Sequence, residues 1–438
     1  MRTDTPINYK IVQQKLKENK IENVGKSSIR EIKKLIDDIQ EGTGKKFIRM
    51  EMGVPGLKPA QVGIDAEKKA LDNGVAAIYP DIRGIPPLKE EMSLFVKNFL
   101  DIDVDPKSCI PTVGSMQGGF ACFLTLNRMD KEKTKTLFID PGFPVQKQQI
   151  KVLGQEYETF DVYNYRGEKL RAKLESYFSK GDIATVIYSN PNNPSWICFT
   201  DTELQIIGEL ANKYNIIVIE DLAYFAMDFR KDYSVPGEAP FQPTVAKYTD
   251  NWVMLISSSK AFSYAGQRIG MLVLSNSLFN MEAPELLRYY NSSNVGHVMI
   301  FGTLYSLSSG TAHTGQYALE AILKAVNNGE YKFRDDVLEY GKKAAIMKKL
   351  FLDNGFDIVY DKDEDEPIAN GFYFTFSYPG FSGDELLNKL VYYGISAISL
   401  AITGSERTEG IRACTSLISR DQFGDLENRL KLFNEHHK

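Results

Sequence analysis

Histidine and cysteine are scarce in this chain of 438 residues, with four of each. The histidines are His297, His313 and the terminal pair His436 and His437. The cysteines Cys109, Cys122, Cys198 and Cys414 are widely spaced and include no Cys-x-x-Cys pair. This pattern excludes a zinc site on the usual ligand spacings and a histidine-based triad. It suits buried or half-buried thiols in a reducing compartment. An excess of basic charge is also absent: 52 Lys and Arg against 57 Asp and Glu leave a net charge of −5. Such a chain offers no sequence-independent attraction to nucleic acid or anionic lipid. No apolar run approaches the ~18 to 20 residues that span a bilayer. The start, Met1-Arg2-Thr3-Asp4-Thr5-Pro6, leads into a charged stretch rather than an apolar signal core. A cytoplasmic protein with no nucleic-acid or membrane partner is therefore expected.

What is present is a large apolar fraction, 43%, with 11% aromatic residues, which excludes a disordered chain. Chains much beyond ~250 residues usually divide their core, so two or three domains are expected. From Leu88 to Leu274 short β-branched runs alternate with helical patterns. The runs are Thr136 to Ile139, Ala184 to Tyr188, Ile216 to Ile219, Val253 to Ile256 and Ile269 to Leu274. Several are apolar at every position, as strands covered on both faces by helices are. Between them lie amphipathic stretches such as Thr200 to Tyr214, with Thr200 or Asp201 placed to cap a helix. The pattern predicts an α/β fold: a large, doubly wound, mostly parallel sheet domain over residues 75–325. A smaller α+β domain is expected from residues 1–74 and 326–438, which makes it discontinuous. Its elements are a helix near Ser28 to Ile39, a long one from about Gly329 to Asn354, strands near Gly371 to Phe376 and Ile395 to Ile398, and a last helix from Asp421 to Glu435.

Two motifs fail on their spacing. Gly25-Lys26-Ser27 copies the end of a phosphate-binding loop, but its first glycine would fall on Lys20. Asp361-Lys362-Asp363-Glu364-Asp365 imitates a calcium loop, but Glu366 replaces the turn glycine and Phe372 the terminal glutamate.

Open α/β sheets bind ligands at the carboxyl ends of their strands, and four strand endings here carry unusual groups. Asp221 leaves the run Ile216 to Ile219 after Glu220, with Tyr224 three residues on. An acid and a phenol so placed can bind a heteroaromatic ring nitrogen and a ring oxygen. Val253 to Ile256 is followed by Ser257-Ser258-Ser259-Lys260, with Arg268 eight residues later. A lysine there can form a Schiff base if burial and cations lower its pKa, while Arg268 and Ser257 suit a phosphate. Ser189-Asn190-Pro191-Asn192-Asn193-Pro194 holds carboxamides in a turn. Thr112-Val113-Gly114-Ser115-Met116 opens a helix towards Asn127, whose first N–H groups face an anion. Together these groups describe pyridoxal 5′-phosphate.

The sequence resembles the class I/II, fold type I, pyridoxal-phosphate-dependent aminotransferases from Gly53 to Arg412, with the motifs in family order. Glu51-Met52-Gly53-Val54-Pro55 is similar to the segment whose glycine borders the substrate carboxylate. Tyr79-Pro80-Asp81-Ile82-Arg83-Gly84 is similar to the one whose tyrosine reaches the phosphate of the neighbouring subunit, which implies a homodimer. The resemblance further implies that Gly114, Ser115, Met116, Ser257 and Arg268 hold the phosphate and that Phe143, in Asp140-Pro141-Gly142-Phe143-Pro144, stacks on the ring. Asn193 and Tyr224 would meet the ring oxygen, Asp221 the ring nitrogen, and Lys260 would form the Schiff base. Arg412, in Gly410-Ile411-Arg412-Ala413, would hold the α-carboxylate, with Gly53 and Asn193 beside it.

The implied reaction moves an amino group from an α-amino acid to a 2-oxo acid in a ping-pong cycle, with Lys260, Asp221 and Tyr224 as its catalytic residues. A β-eliminating C–S lyase on the same cofactor, or a non-catalytic sensor on the same fold, is the alternative. The chain departs from the family in two places. Asn-Pro-Thr-Gly reads Asn193-Pro194-Ser195-Trp196, so an indole stands where a glycine is usual. For the distal carboxylate of an acidic substrate, Arg288 is the only arginine near the region concerned.

Overall fold

The computed structural model describes residues 4–438. In chain order its strands are β1 (Ile48–Arg49), β2 (Cys109–Thr112), β3 (Lys135–Asp140), β4 (Tyr157–Asp161), β5 (Ile183–Ser189), β6 (Ile217–Leu222), β7 (Trp252–Ser257) and β8 (Gly270–Leu274). There follow β9 (Asp357–Ile358), β10 (Lys362–Asp363), β11 (Glu366–Pro367), β12 (Tyr373–Ser377), β13 (Ile395–Ser396), β14 (Ile398–Ser399) and β15 (Ile411–Cys414). Two compact units make up the chain. One contains the residues up to Gly56, with Asn193–Ile197 and Leu338–Lys438; the other contains Leu57–Asn192 and Cys198–Val337.

The second unit is built on a seven-stranded sheet of order β2-β8-β7-β6-β5-β3-β4. Neighbours pair in parallel except where β8 runs against β2 and β7. Strands β6, β7 and β8 are buried at every residue, as expected of strands covered by helices on both faces. Four of the five strands expected by apolar pattern are found in place to within about one residue at either end, as β3, β7 and β8 show, and β6 runs on into Leu222. Strands β2 and β4 have no such signature: β2 contains Pro111 and β4 reads Tyr-Glu-Thr-Phe-Asp. The helix Asp201–Tyr214 starts in a capping box in which Thr200 and Glu203 each bond the other's backbone N–H. The helices Gln61–Asp72 and His313–Asn327 pack closely on one another within this unit. The contact between them places both in the second unit, whose borders lie at Leu57 and Val337, whereas strand alternation alone suggested 75 and 325.

The first unit carries the antiparallel sheet β14-β15-β12-β9 and the parallel pair β1 and β13. Its core joins Ile32, Leu35, Ile36 and Ile39, one face of the helix Ile29–Thr43, to Phe351, Phe374, Phe376, Leu390 and Phe433. The calcium-like run Asp361 to Asp365 forms the two-residue strand β10 and the turn that leads from it into its antiparallel partner β11. Among the described residues there is no cluster of three or more metal-ligating side chains, and no helix is long and apolar enough to cross a membrane. All four cysteines are buried and unbridged.

Candidate active site

In the second unit the register of the sheet decides which loops meet. Thr112 pairs with Gly270, and Gly270 with Ser257; Leu255 pairs with Asp221, and Asp221 with Ser189. Because β2, β7, β6, β5 and β3 all run the same way, their carboxyl ends form one row. Gly114, Ser115 and Met116 follow β2, Lys260 follows β7, Asp221 and Tyr224 lie at and beyond the end of β6, and Phe143 follows β3. Arg268 precedes β8, which starts at the same edge because it runs the other way.

At the β2, β8 and β7 end these residues form a cup for an anion. Gly114 begins a thirteen-residue helix with φ of +65°, a conformation that strains any residue with a Cβ. A Cβ there would also sit 2.6 Å from Arg268 Nη2, so the glycine lets the guanidinium reach the helix start. Gly270 lies equally close on the other side, where a Cβ would come within 2.9 Å of the Ser115 nitrogen. Ser257 Oγ accepts from the Ser259 N–H at 3.1 Å, which leaves its own O–H to donate. Arg268 Nη1 donates to the Ala265 carbonyl at 2.9 Å, and among the described residues no carboxylate pairs with it. Helix N–H groups, a hydroxyl and an uncompensated guanidinium make a site suited to a phosphate.

Asp221 lies a short distance along the row. Its Oδ2 accepts from Gln146 Nε2 at 2.8 Å and its Oδ1 from the Ala223 N–H at 3.1 Å. Burial pushes its pKa up to about 6, against those two hydrogen bonds, and no cation faces it among the described residues. A buried carboxylate with neutral donors only is suited to a protonated ring nitrogen. The loop that carries Phe143 is tied down on both sides. Asp140 at its start takes bonds from Lys147 and Thr159, and Asn192 Nδ2 donates to the Pro141 carbonyl at 2.8 Å. Lys260 is half-buried in the turn Ser258–Ala261, and Tyr224 is buried. Gln146 and Asp140 were not singled out by sequence. Gln146 stands on the first turn of the helix Pro144–Val152, three residues after Phe143, and a glutamine there gives no periodic signal. Tyr79 lies apart from this pattern, 89% exposed.

Asn193, Gly53 and Arg412 belong to the first unit. Arg412 sits on β15 between β12 and β14, facing Thr375 on one side and Ile398 on the other, and is only 2% exposed. Its Nη1 donates to Asn193 Oδ1 at 3.3 Å and its Nη2 to the Glu51 carbonyl at 2.6 Å. The Glu51 carboxylate is engaged elsewhere, by Arg49 Nε at 2.8 Å and Ser396 Oγ at 2.7 Å. Arg412 Nε has no partner, and no carboxylate pairs with the guanidinium among the described residues. An uncompensated buried charge costs several kcal/mol, and a ligand carboxylate would offset it with two parallel hydrogen bonds. Arg288, by contrast, is 60% exposed and pairs with Glu285 at 3.5 Å. Trp196 is wholly buried with φ of +67°, so the indole occupies a backbone position of the glycine type.

The description "Aminotransferase class I and II" matches residues 45–359. A probable aspartate aminotransferase of Methanocaldococcus jannaschii is 27% identical over 351 residues, 79% of this chain and 84% of the relative. Among solved structures, an alanine aminotransferase of Pyrococcus furiosus superposes with a TM-score of 0.76 at 17% identity, covering 96% of this chain and 99% of that one. An aspartate aminotransferase of Thermotoga maritima does so with a TM-score of 0.74, also at 17% identity and with the same coverages. At that identity the structural likeness shows the fold, that of the fold type I aminotransferases, while the family match extends over most of the chain. The chain belongs to the class I and II aminotransferases, and is a pyridoxal-phosphate-dependent transaminase.

Proposed function

We propose that the two sets of residues divide the work of transamination between cofactor and substrate. The cup of Gly114, Ser115, Met116, Ser257 and Arg268 would hold the cofactor phosphate, Asp221 the ring nitrogen, Asn193 and Tyr224 the ring oxygen, and Phe143 the ring face. Pyridoxal phosphate, when bound, supplies the electron sink for the pair released as an amino acid loses its α-proton. Asp221 would favour a protonated ring nitrogen by presenting a negative charge in a buried setting. Lys260 Nζ would hold the cofactor covalently and, once displaced by the substrate amine, would carry the α-proton as general base and then acid. Arg412, with Gly53 and Asn193 beside it, would fix the α-carboxylate and so the orientation of the bond that breaks.

The observation that carries this reading is the Arg412 guanidinium, 2% exposed and without an anionic partner among the described residues. The relatives named for aspartate and alanine differ in side chain and share the α-carboxylate. The substrates proposed are therefore an α-amino acid and a 2-oxo acid, defined by that group. A homodimer is proposed because Tyr79, 89% exposed, is free to reach a neighbouring subunit. Four buried, unbridged thiols agree with a cytoplasmic setting. The lyase alternative is not favoured by the family match.

The test is an absorbance titration of the purified protein with a panel of amino acids. A visible band that borohydride abolishes, and that specific amino acids convert to the pyridoxamine form, is expected. Lys260→Ala is expected to lose the borohydride-sensitive band, and Arg412→Gln to keep it while KM for the amino acid rises about a hundredfold. An unchanged KM in Arg412→Gln would overturn the carboxylate assignment, and pyruvate with ammonia released in the absence of any 2-oxo acid would replace the transaminase by a lyase.

A further inference from the structure

Trp196, Tyr373 and Arg412 form a column in the first unit. Arg412 Cζ lies 4.5 Å over the centroid of the Tyr373 ring. The Trp196 ring meets Tyr373 edge-on, with centroids 6.1 Å apart and planes at 69°. Register explains the first contact: Tyr373 pairs with Cys414 and Thr375 with Arg412, so residues 373 and 412 are diagonal neighbours on one sheet face. The second contact needs two permissive backbones. Trp196 has φ of +67°, and a Cβ on Gly371 would fall inside the indole, against Cε2, Cζ2 and Nε1. The remaining freedom of Tyr373 is closed by Gly53, where a Cβ would collide with the phenol oxygen, and by the edge of Phe372 at 5.1 Å. All of these side chains are buried, and Trp196 is the largest fully buried residue of the chain.

We propose that Trp196 and Tyr373 are positioning residues for the Arg412 guanidinium, and that Gly371 is the residue that admits the indole to this role. The inference rests on the reading of Arg412 as the α-carboxylate site. A guanidinium fixed by only two hydrogen bonds, to Asn193 and to the Glu51 carbonyl, can still rock about the line joining them. A ring stacked beneath it sets its plane, and the plane decides whether its remaining N–H groups point in parallel at a carboxylate. The indole, wedged between Gly371 and Tyr373, keeps that ring from turning away. An ordinary core tryptophan needs neither a left-handed backbone nor a glycine opposite; both occur here, next to a buried arginine that has no anionic partner among the described residues.

The test uses holoenzyme variants Trp196→Gly, Gly371→Ala, Tyr373→Leu and the double variant Trp196→Gly/Gly371→Ala. Two readouts are taken: the split of KM and kcat for the amino acid, and the dissociation constant of a carboxylic acid that lacks an amine, read from the cofactor band. Trp196→Gly and Tyr373→Leu are each expected to raise KM and that dissociation constant about tenfold, with kcat within about twofold and the starting band unchanged. Gly371→Ala is expected to do the same by displacing the indole. The double variant is expected to be no worse than Trp196→Gly alone, because the clash has lost its partner. Weaker carboxylate binding in Arg412→Gln but normal binding in Trp196→Gly and Tyr373→Leu would overturn the proposal and leave Arg412 in place. Normal binding in Arg412→Gln would instead overturn the reading beneath it. Should Trp196→Gly not fold, Tyr373→Leu and Gly371→Ala decide the question by the same two readouts.

Discussion

Gln146 Nε2 lies 2.8 Å from Asp221 Oδ2, so the buried carboxylate at the end of β6 takes its side-chain hydrogen bond from a neutral amide. The amide cannot titrate, so it lowers the pKa of Asp221 by the same amount at every pH, against the burial that pushes it up to about 6. The same helix, Pro144–Val152, sends Gln149 Nε2 to the Met116 carbonyl at 2.9 Å and Lys147 to Asp140. This helix thus touches the start of the helix that Gly114 begins, the buried Asp221 carboxylate and the base of the Phe143 loop.

Replacing Gln146 by leucine removes a donor and leaves burial in place, so the pKa of Asp221 rises further. More of the acid is then protonated near neutral pH, and its hold on a protonated ring nitrogen weakens. Cofactor affinity is expected to fall about tenfold at pH 7 and to recover partly as pH rises. A fluorescence titration of the apoprotein with pyridoxal phosphate between about pH 6 and 9 measures it. Affinity equal to the parent at all pH values would show that the amide does not tune the acid.

Gly114→Ala introduces a Cβ at φ of +65° and 2.6 Å from Arg268 Nη2. The backbone cost is about 1 kcal/mol, and the guanidinium must also withdraw from the helix start. Cofactor dissociation constants are expected to rise at least about tenfold while the thermal midpoint of the apoprotein drops by only a few degrees. Equilibrium dialysis and a melting curve distinguish the two effects.

Glu220, next to Asp221 but on the opposite face of β6, accepts from Thr244 Oγ1 at 2.5 Å and Tyr188 Oη at 3.1 Å. Burial pushes its pKa up to about 7, from an ordinary value of 4.5. The folded state therefore holds this proton more tightly than the unfolded chain, and the stability it contributes is present below about pH 4.5 and is lost as pH rises to about 7. Glu220→Gln removes that dependence. The melting temperature of the variant relative to the parent is expected to rise across this window and level off above it, as scanning calorimetry of the apoprotein would show. A constant difference would mean that Glu220 does not change its protonation state there.

Lys89 is buried at the start of the helix Pro86–Leu100, where its Nζ donates to the carbonyls of Arg83 at 2.9 Å and Cys109. Burial lowers its pKa to about 8. Lys89→Met would leave those carbonyls without a donor, and a loss of about 1 to 3 kcal/mol in urea unfolding is expected near neutral pH. The depressed pKa adds a second signature. The parent should gain stability relative to the variant as pH rises from about 8 towards 10.5, where the folded state no longer carries the charge but the unfolded chain still does.

Much of this protein is legible along the chain, because the information is local. An all-apolar β-branched run needs no partner to be recognised as a buried strand, and Val253 to Ile256 and Ile269 to Leu274 are found as β7 and β8. Thr200 followed three residues later by Glu203 announces a helix start for the same reason, and the capping box is there. The polar residues at strand ends, from Gly114 to Lys260, stand out because open α/β sheets gather chemistry at that edge. Strands β2 and β4 escaped this reading, since their pairing is set by neighbours and their own composition is ordinary.

The sequence by itself determined most of the large-sheet strands, the order of the motifs and the family they resemble. Tertiary structure alone decided which residues meet across them. The partnership of Gln146 with Asp221 depends on β3 lying one strand away from β6, across β5, and the placing of Tyr373 under Arg412 depends on the register of β12 against β15. The place of Trp196 is the clearest case: from the chain it is a large residue where a small one is usual, and in the fold it fills the space that Gly371 leaves open. Periodicity reports the conformation of a segment, which nearby residues settle; contacts between residues far apart in sequence depend on crossovers and register, which no local pattern encodes.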